Sequence, residues 1–256
     1  MHRGDEGKSG EGPLRRFALA AVAALAVSSS AAQADDVYMN FFGGLNIVPG
    51  QDLSYDDAGP TVYGPLHDGT VSYDKGLGFG AAIGYAVDVG AGFALYGEAE
   101  VSYRTNTIDY NKGINENGDV EEGDEDGHSN ILAGMANLGL RYRVVDGLSL
   151  HAAGGIGYAS WSYGYDGNPD NPVVTGSFKS DTQGGLAWQG IAGLGYEVAP
   201  GLEVGLEYRY FAVGDETFTH TYNGSQLRDE TSYDSHSVFA TIRVEFTPLL
   251  RAFGVR

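Results

Sequence analysis

The chain has 256 residues, 34 acidic against 15 basic, a formal net charge of −19, and no cysteine among 40 glycines and 17 tyrosines. Without cysteine there is no disulfide framework, thiolate zinc site, iron–sulfur cluster or cysteine nucleophile. So acidic a surface also repels phosphate backbones, which excludes nucleic acid as a partner.

At the N-terminus Arg15 and Arg16 precede an apolar run from Phe17 to Val27, and Ala32-Gln33-Ala34 gives a small-x-small pattern. Residues 1–34 are therefore predicted to be a secretory signal peptide cleaved after Ala34, its apolar run too short to span a bilayer. The mature chain would begin at Asp35. Beyond it no run of 18 apolar residues occurs, so no helical membrane span is expected.

The periodic signal in the remainder is alternation. Val37, Met39, Phe41, Leu45 and Ile47 oppose Asn40, Gly44 and Asn46, and Phe79, Ala81, Ile83, Tyr85 and Val87 oppose Gly78, Gly80, Gly84 and Asp88. Further segments of the same kind run from Phe93 to Arg104, Leu132 to Val144, Leu148 to Tyr158, Gly185 to Val198, Leu202 to Tyr210 and Ser237 to Phe246, with Phe239 on the wrong side of its pattern. Period two over such lengths predicts strands with unlike faces, eight in all. Short connections at 88–92, 146–147 and 200–201 take turns with long polar ones near 48–73, 109–128, 164–182 and 214–235.

This arrangement predicts an all-β fold: an eight-stranded antiparallel up-and-down transmembrane β-barrel over 35–246, with long extracellular loops, short periplasmic turns and a short tail at 247–256. Closure would satisfy every backbone group in lipid, and each strand supplies the roughly 9 to 11 residues a tilted span needs. A soluble barrel would turn its large apolar residues inward, whereas here the less apolar face is small and glycine-rich. That face carries Glu98, Glu100, Glu197, Glu203, Glu207 and Glu245 against Arg104, Arg141, Arg143, Arg209 and Arg243. So near a balance predicts a paired charge network in the barrel interior.

The segments GLGFGAAIGY (76–85), AGMANLGLRY (133–142), AAGGIGY (152–158), GIAGLGYE (190–197) and GLEYRY (205–210) resemble the small opacity-type or OmpA-like outer-membrane β-barrels and related bacterial surface antigens. The resemblance covers residues 35–246. It implies a Gram-negative outer membrane with its lipid and lipopolysaccharide as surroundings, assembly by periplasmic chaperones and the barrel-insertion machinery, and a structural or surface-contact role toward a host or cell-surface ligand instead of catalysis. Such barrels usually end in an aromatic residue, whereas this chain continues from Phe246 to Arg256.

No cofactor, metal or catalytic site is expected. The loop 109–128 carries eight acids against Lys112, but places Val120 where a calcium loop of the EF-hand type needs glycine. A solvated, repulsive loop is the expectation, with weak Ca²⁺ or Mg²⁺ association as the alternative. His128-Ser129 and His236-Ser237 are neighbours in strands and point to opposite faces, which separates nucleophile from base. His151 is expected inside the barrel with Ser149. Two functions follow: a non-enzymatic structural barrel plugged by paired charges with acidic loops outside, or a small cation-preferring porin.

Overall fold

The computed structural model describes residues 37–56, 68–114, 120–166, 178–179, 182–222 and 225–246. The expected signal peptide, its cleavage point after Ala34, the tail 247–256 and the acidic side chains of 109–126 lie outside the described residues.

Among the described residues eleven strands follow one another: β1 (Val37–Ile47), β2 (Gln51–Asp56), β3 (Asp68–Tyr73), β4 (Gly76–Gly90), β5 (Phe93–Ile114), β6 (Val120–Val145), β7 (Leu148–Asp166), β8 (Phe178–Lys179), β9 (Gln183–Ala199), β10 (Leu202–Tyr222) and β11 (Ser225–Glu245). Eight of them form a ring of antiparallel neighbours in the order β1, β4, β5, β6, β7, β9, β10, β11. β11 returns to β1 in a continuous ladder from Tyr38↔Glu245 to Ile47↔His236. The eight-stranded up-and-down barrel read from alternation is the observed fold.

Two of the four connections expected to be loops, 109–128 and 214–235, are largely strand among the described residues. β5 and β6 pair out to Ile114↔Val120, and β10 and β11 out to Tyr222↔Ser225. Above the ends of β1 and β4 the hairpin β2–β3 takes their place in the wall, pairing with β11 on one side and β5 on the other. Alternation ends where the outer face leaves lipid, but backbone hydrogen bonding does not need an apolar face to continue. Hence polar sequence at 109–114, 120–128 and 214–222 still builds ladder.

At the opposite end the connections are tight. Gly92, Gly147 and Gly201 have φ of 79°, 80° and 76°, and the Asp88 carboxylate accepts from Gly90 N at 2.7 Å. The ladder resumes at once, with Glu197 N donating to Gly147 O and Glu245 N to Gly201 O at 2.8 Å each.

The outer face carries the large apolar side chains. Leu186 is 79% exposed, Ile156 73% and Leu138 63%, in company with Phe41, Leu77, Ile83, Val101, Leu140, Leu194, Leu206 and Ile242. A water-soluble domain does not leave so continuous an apolar surface bare, whereas lipid covers it. Aromatic residues edge the belt. Phe93 packs on Tyr142 at 4.5 Å between ring centroids near the short turns, and Phe79 on Tyr103 at 5.5 Å toward the long hairpins. From Phe93 to Tyr103 a strand tilted by about 40° climbs about 25 Å, the height of a hydrocarbon band.

Replacing Gly147 with alanine puts a Cβ into a left-handed conformation and should cost about 1–2 kcal/mol. Urea unfolding of the wild-type and Gly147→Ala barrels in the same detergent measures it.

Candidate functional site

The inward positions of the eight ring strands form three layers. At the turn end Arg141 pairs with Glu203, and Ser149 Oγ accepts from Arg141 Nη2 at 2.8 Å and donates to Glu203 at 3.2 Å. Beside them the Arg243 guanidinium lies 3.3 Å from the centre of the Tyr38 ring, and Tyr38 donates to Glu98 at 3.0 Å. Asn40, Tyr96, Glu98, His151, Glu203, Glu207, Thr241 and Arg243 leave between them a polar cavity of about 10 Å³, room for about one water.

Arg209 commands the middle layer and is wholly buried. Its Nη1 donates to Glu100 at 2.8 Å, and Nε and Nη2 donate to Glu207 at 2.9 and 2.6 Å. Glu100 and Arg209 sit on strands across the barrel from each other, so this bridge crosses the lumen. The Glu100 Oε2 that takes Arg209 also accepts from Asn137 at 2.9 Å and Gln189 at 3.1 Å, and His151 Nε2 lies 3.1 Å from Glu207 Oε1. Phe42 lies under the guanidinium at 3.8 Å and stacks on Phe239 at 5.4 Å. The clustering of charge-assisted bonds around one desolvated cation is what lets it stay inside.

Toward the hairpin end the lining turns apolar. Ile131, Ala133, Met135, Ala159, Trp161, Ala187, Phe211, Val213 and Tyr233 form one buried cluster with Val48. Trp161 meets Tyr233 edge-on at 5.6 Å and donates through Nε1 to Ser129 at 2.9 Å. Arg104 lies at the base of this cluster with its guanidinium 3.9 Å over Phe211, donating to Ser102 at 3.0 Å. Among the described residues no carboxylate pairs with it, and its Nε and Nη2 find no acceptor. An asparagine knot closes the layer: Asn46 donates to Asn106 at 2.6 Å and Tyr233 at 3.0 Å, and accepts from Ser237 at 2.7 Å.

Of the eleven charged residues assigned to the interior, Glu98, Glu100, Arg104, Arg141, Glu203, Glu207, Arg209 and Arg243 line it. Three do not belong there. Arg143 is exposed at the rim, where the β6–β7 register shifts before Val145. Glu197 is exposed, and its carboxylate accepts from Gly201 N at 3.3 Å, capping a turn instead of entering the lumen. Glu245 is 40% exposed and meets Arg243 Nε at 3.4 Å at the strand end. Strand parity assigns a face but not a depth, and all three lie within a few residues of the turns. His151 and Ser149 do share the lumen, while His128 is exposed and Ser129 buried, and Ser237 points inward away from His236.

The lumen residues that alternation did not assign to the inner face are Tyr38, Asn106 and the apolar cluster. The signal for the cluster was present as runs that are apolar at both parities, such as Ile131 to Ala136 and Tyr210 to Val213. The interior glycines also acquire a role. A Cβ at Gly78 would meet Phe239 Cζ at 2.7 Å, one at Gly80 would meet Phe42 Cζ at 2.5 Å, and one at Gly84 would collide with the Tyr38 ring. The glycines are therefore spaces into which neighbouring rings fold.

Among curated proteins none matches the sequence. Solved structures that resemble it include OprG, an outer membrane protein of Pseudomonas aeruginosa, at 11% identity over 82% of this chain and 97% of that one, TM-score 0.49. Others are the Escherichia coli outer membrane protease OmpT, at 12% over 86% and 99% with TM-score 0.48, and Neisserial surface protein A, at 12% over 82% and 97% with TM-score 0.39. The sequence itself matches the model of the outer membrane protein beta-barrel domain over residues 17–242. With an apolar belt outside a closed ring and the charges turned inward, the chain belongs to that outer-membrane β-barrel family.

Proposed function

We propose that the protein is a non-enzymatic structural barrel of the Gram-negative outer membrane whose lumen is plugged by its own side chains, with the long acidic hairpins outside as surfaces for contact with a host or neighbouring cell. The observation that carries it is the bridge from Glu100 through Arg209 to Glu207 across the lumen beneath the Trp161–Phe211–Tyr233 layer. A hydrated ion would have to break a desolvated ion pair and part a packed apolar layer to pass. Eight strands leave an interior that side chains just fill. For catalysis, Ser149 bonds to Glu203 and to the Gly195 carbonyl while His151 faces Glu207, which supports a structural role for both. Residues 1–34 serve as the cleaved export signal, and chaperones and the insertion machinery deliver the barrel to lipid and lipopolysaccharide.

The alternative, a small cation-preferring porin, is favoured by one feature, the polar cavity lined by Glu98, Glu203 and Glu207 at the turn end.

In planar bilayers the refolded wild-type barrel should insert and stay silent. Discrete cation-selective steps would make it a porin instead. Replacing Arg209 with methionine, of similar length, strands two buried carboxylates and should lower stability by about 3–5 kcal/mol in urea titration. On intact cells protease should cut within residues 109–128, and protection there would place these hairpins on the other side of the membrane.

A further inference from the structure

Where the two lower layers of the lumen meet, one carboxyl group has no cation. Arg209 is shared between Glu100 and Glu207, and Arg141 holds Glu203. Arg243 lies over the Tyr38 ring and meets Glu245 at the rim. Glu98 is left over: among the described residues no ion pair holds it, and its one hydrogen bond is accepted by Oε1 from the Tyr38 hydroxyl. Its neighbours in the ladder bring no charge either, since Glu98 stands opposite Gly84 on β4 and Asn137 on β6. Arg104 is six residues up the same strand, about 20 Å along it, with its guanidinium over Phe211.

The polar cavity at this level is bordered by Glu98 and by Asn40. Asn40 is buried, and its Nδ2 donates to Glu207 at 3.4 Å. That bond fixes the amide, because turning it over would set its oxygen against the Glu207 carboxylate. Asn40 Oδ1 is then a buried acceptor without a donor, an arrangement that folded proteins avoid. A proton on Glu98 Oε2 would supply the donor, either directly or through the single water for which the cavity has room. It would also balance the charge. Glu100, Glu203 and Glu207 would face Arg141, Arg209 and Arg243, three against three, whereas an ionised Glu98 adds a fourth negative charge where water is excluded. The other groups on the cavity do not offset it: His151 is engaged with Glu207 at 3.1 Å, and Tyr96 and Thr241 bring neutral hydroxyls.

We propose that Glu98 is a neutral carboxylic acid in the folded barrel, donating to Asn40 across the cavity, and that its ionisation is a pH-sensitive release built into the turn-end layer. While the proton is held, the lower layers are balanced. Once it leaves, a fourth carboxylate repels Glu203 and Glu207 and draws water and cations into the cavity. The assignment rests on the closed lumen proposed above, which conductance tests, whereas the following measurements read the proton alone. Urea unfolding of the full barrel in detergent is followed from about pH 5 to about pH 9, above the range of an unfolded glutamate, for wild type and for Glu98→Gln, which keeps the shape of the protonated acid. The unfolded chain carries Glu98 ionised over this range, so the folded state binds one proton more and wild type loses stability as pH rises. Its unfolding equilibrium constant should climb relative to that of Glu98→Gln by about tenfold per pH unit until the folded acid ionises. Infrared spectra at neutral pH should show a protonated-carboxyl band in wild type that Glu98→Gln lacks. Glu203→Gln, which strips Arg141 of its partner, should keep that band and be destabilised at every pH. Heat-modified gel migration identifies the folded fraction of each variant. A constant gap between wild type and Glu98→Gln, with no carboxyl band, would overturn the proposal. So would a pH dependence lost in His151→Gln but kept in Glu98→Gln, which puts the proton on the imidazole, or a wild-type midpoint that rises with sodium at fixed ionic strength, which puts a cation in its place.

Discussion

Closure of the ladder between β1 and β11 is the constraint on which everything else depends. In hydrocarbon an unpaired backbone amide or carbonyl costs several kcal/mol, so a sheet in lipid has no tolerable edge. The unbroken register from Tyr38↔Glu245 to Ile47↔His236 removes that edge. Once the ring is shut, each strand has one face in lipid and the other in an enclosed space, and the sequence must answer both demands at alternating positions. Above the membrane the constraint weakens, and there the hairpin β2–β3 stands in for β1 and β4 in the wall.

Eight strands enclose so little volume that the inner face cannot simply be polar. Each charge brought inside loses water, and water cannot enter in quantity to compensate. The resolution is spatial segregation. The ion pairs, with Asn137 and Gln189, occupy the lower two layers, while Trp161, Phe211, Tyr233 and Ile131 fill the upper one together with the uncharged Asn46–Asn106 knot. Arg104 marks the boundary between these regimes, its guanidinium facing a ring instead of a carboxylate. A cation over an aromatic face recovers part of its solvation, and Phe211 supplies that face to Arg104.

How much of this was legible in the sequence follows from what alternation encodes. Parity gave the outward face of every ring strand, since Leu138, Leu140 and Tyr142 or Val204, Leu206 and Tyr208 have no other consistent place. Parity is blind to depth, which is why Arg143 and Glu197 looked like lumen residues and are rim residues. It is blind also to strand length once lipid is left behind, so the polar sequence at 109–114 and 214–222 carries no mark of the ladder it forms. Phe239 broke the pattern of its strand for a reason visible only in three dimensions: its ring stacks on Phe42 and fills the space over Gly78.

That pairing of ring and glycine decides what a glycine-rich inner face means. A lumen rich in glycine suggests an open bore when each residue is considered alone. In a narrow barrel, however, a glycine on one strand is the only way to admit a tyrosine or phenylalanine from the next, because a Cβ at Gly80 or Gly84 would lie inside the Phe42 or Tyr38 ring. Glycine here measures how far neighbouring side chains reach, not how much space is left. The rings so admitted also supply the faces on which Arg209 and Arg243 rest. Glycine, aromatic ring and arginine thus form a single packing unit, repeated at two levels of the barrel. Enlarging the glycine would dislodge the ring and, through it, the cation that ties opposite walls together.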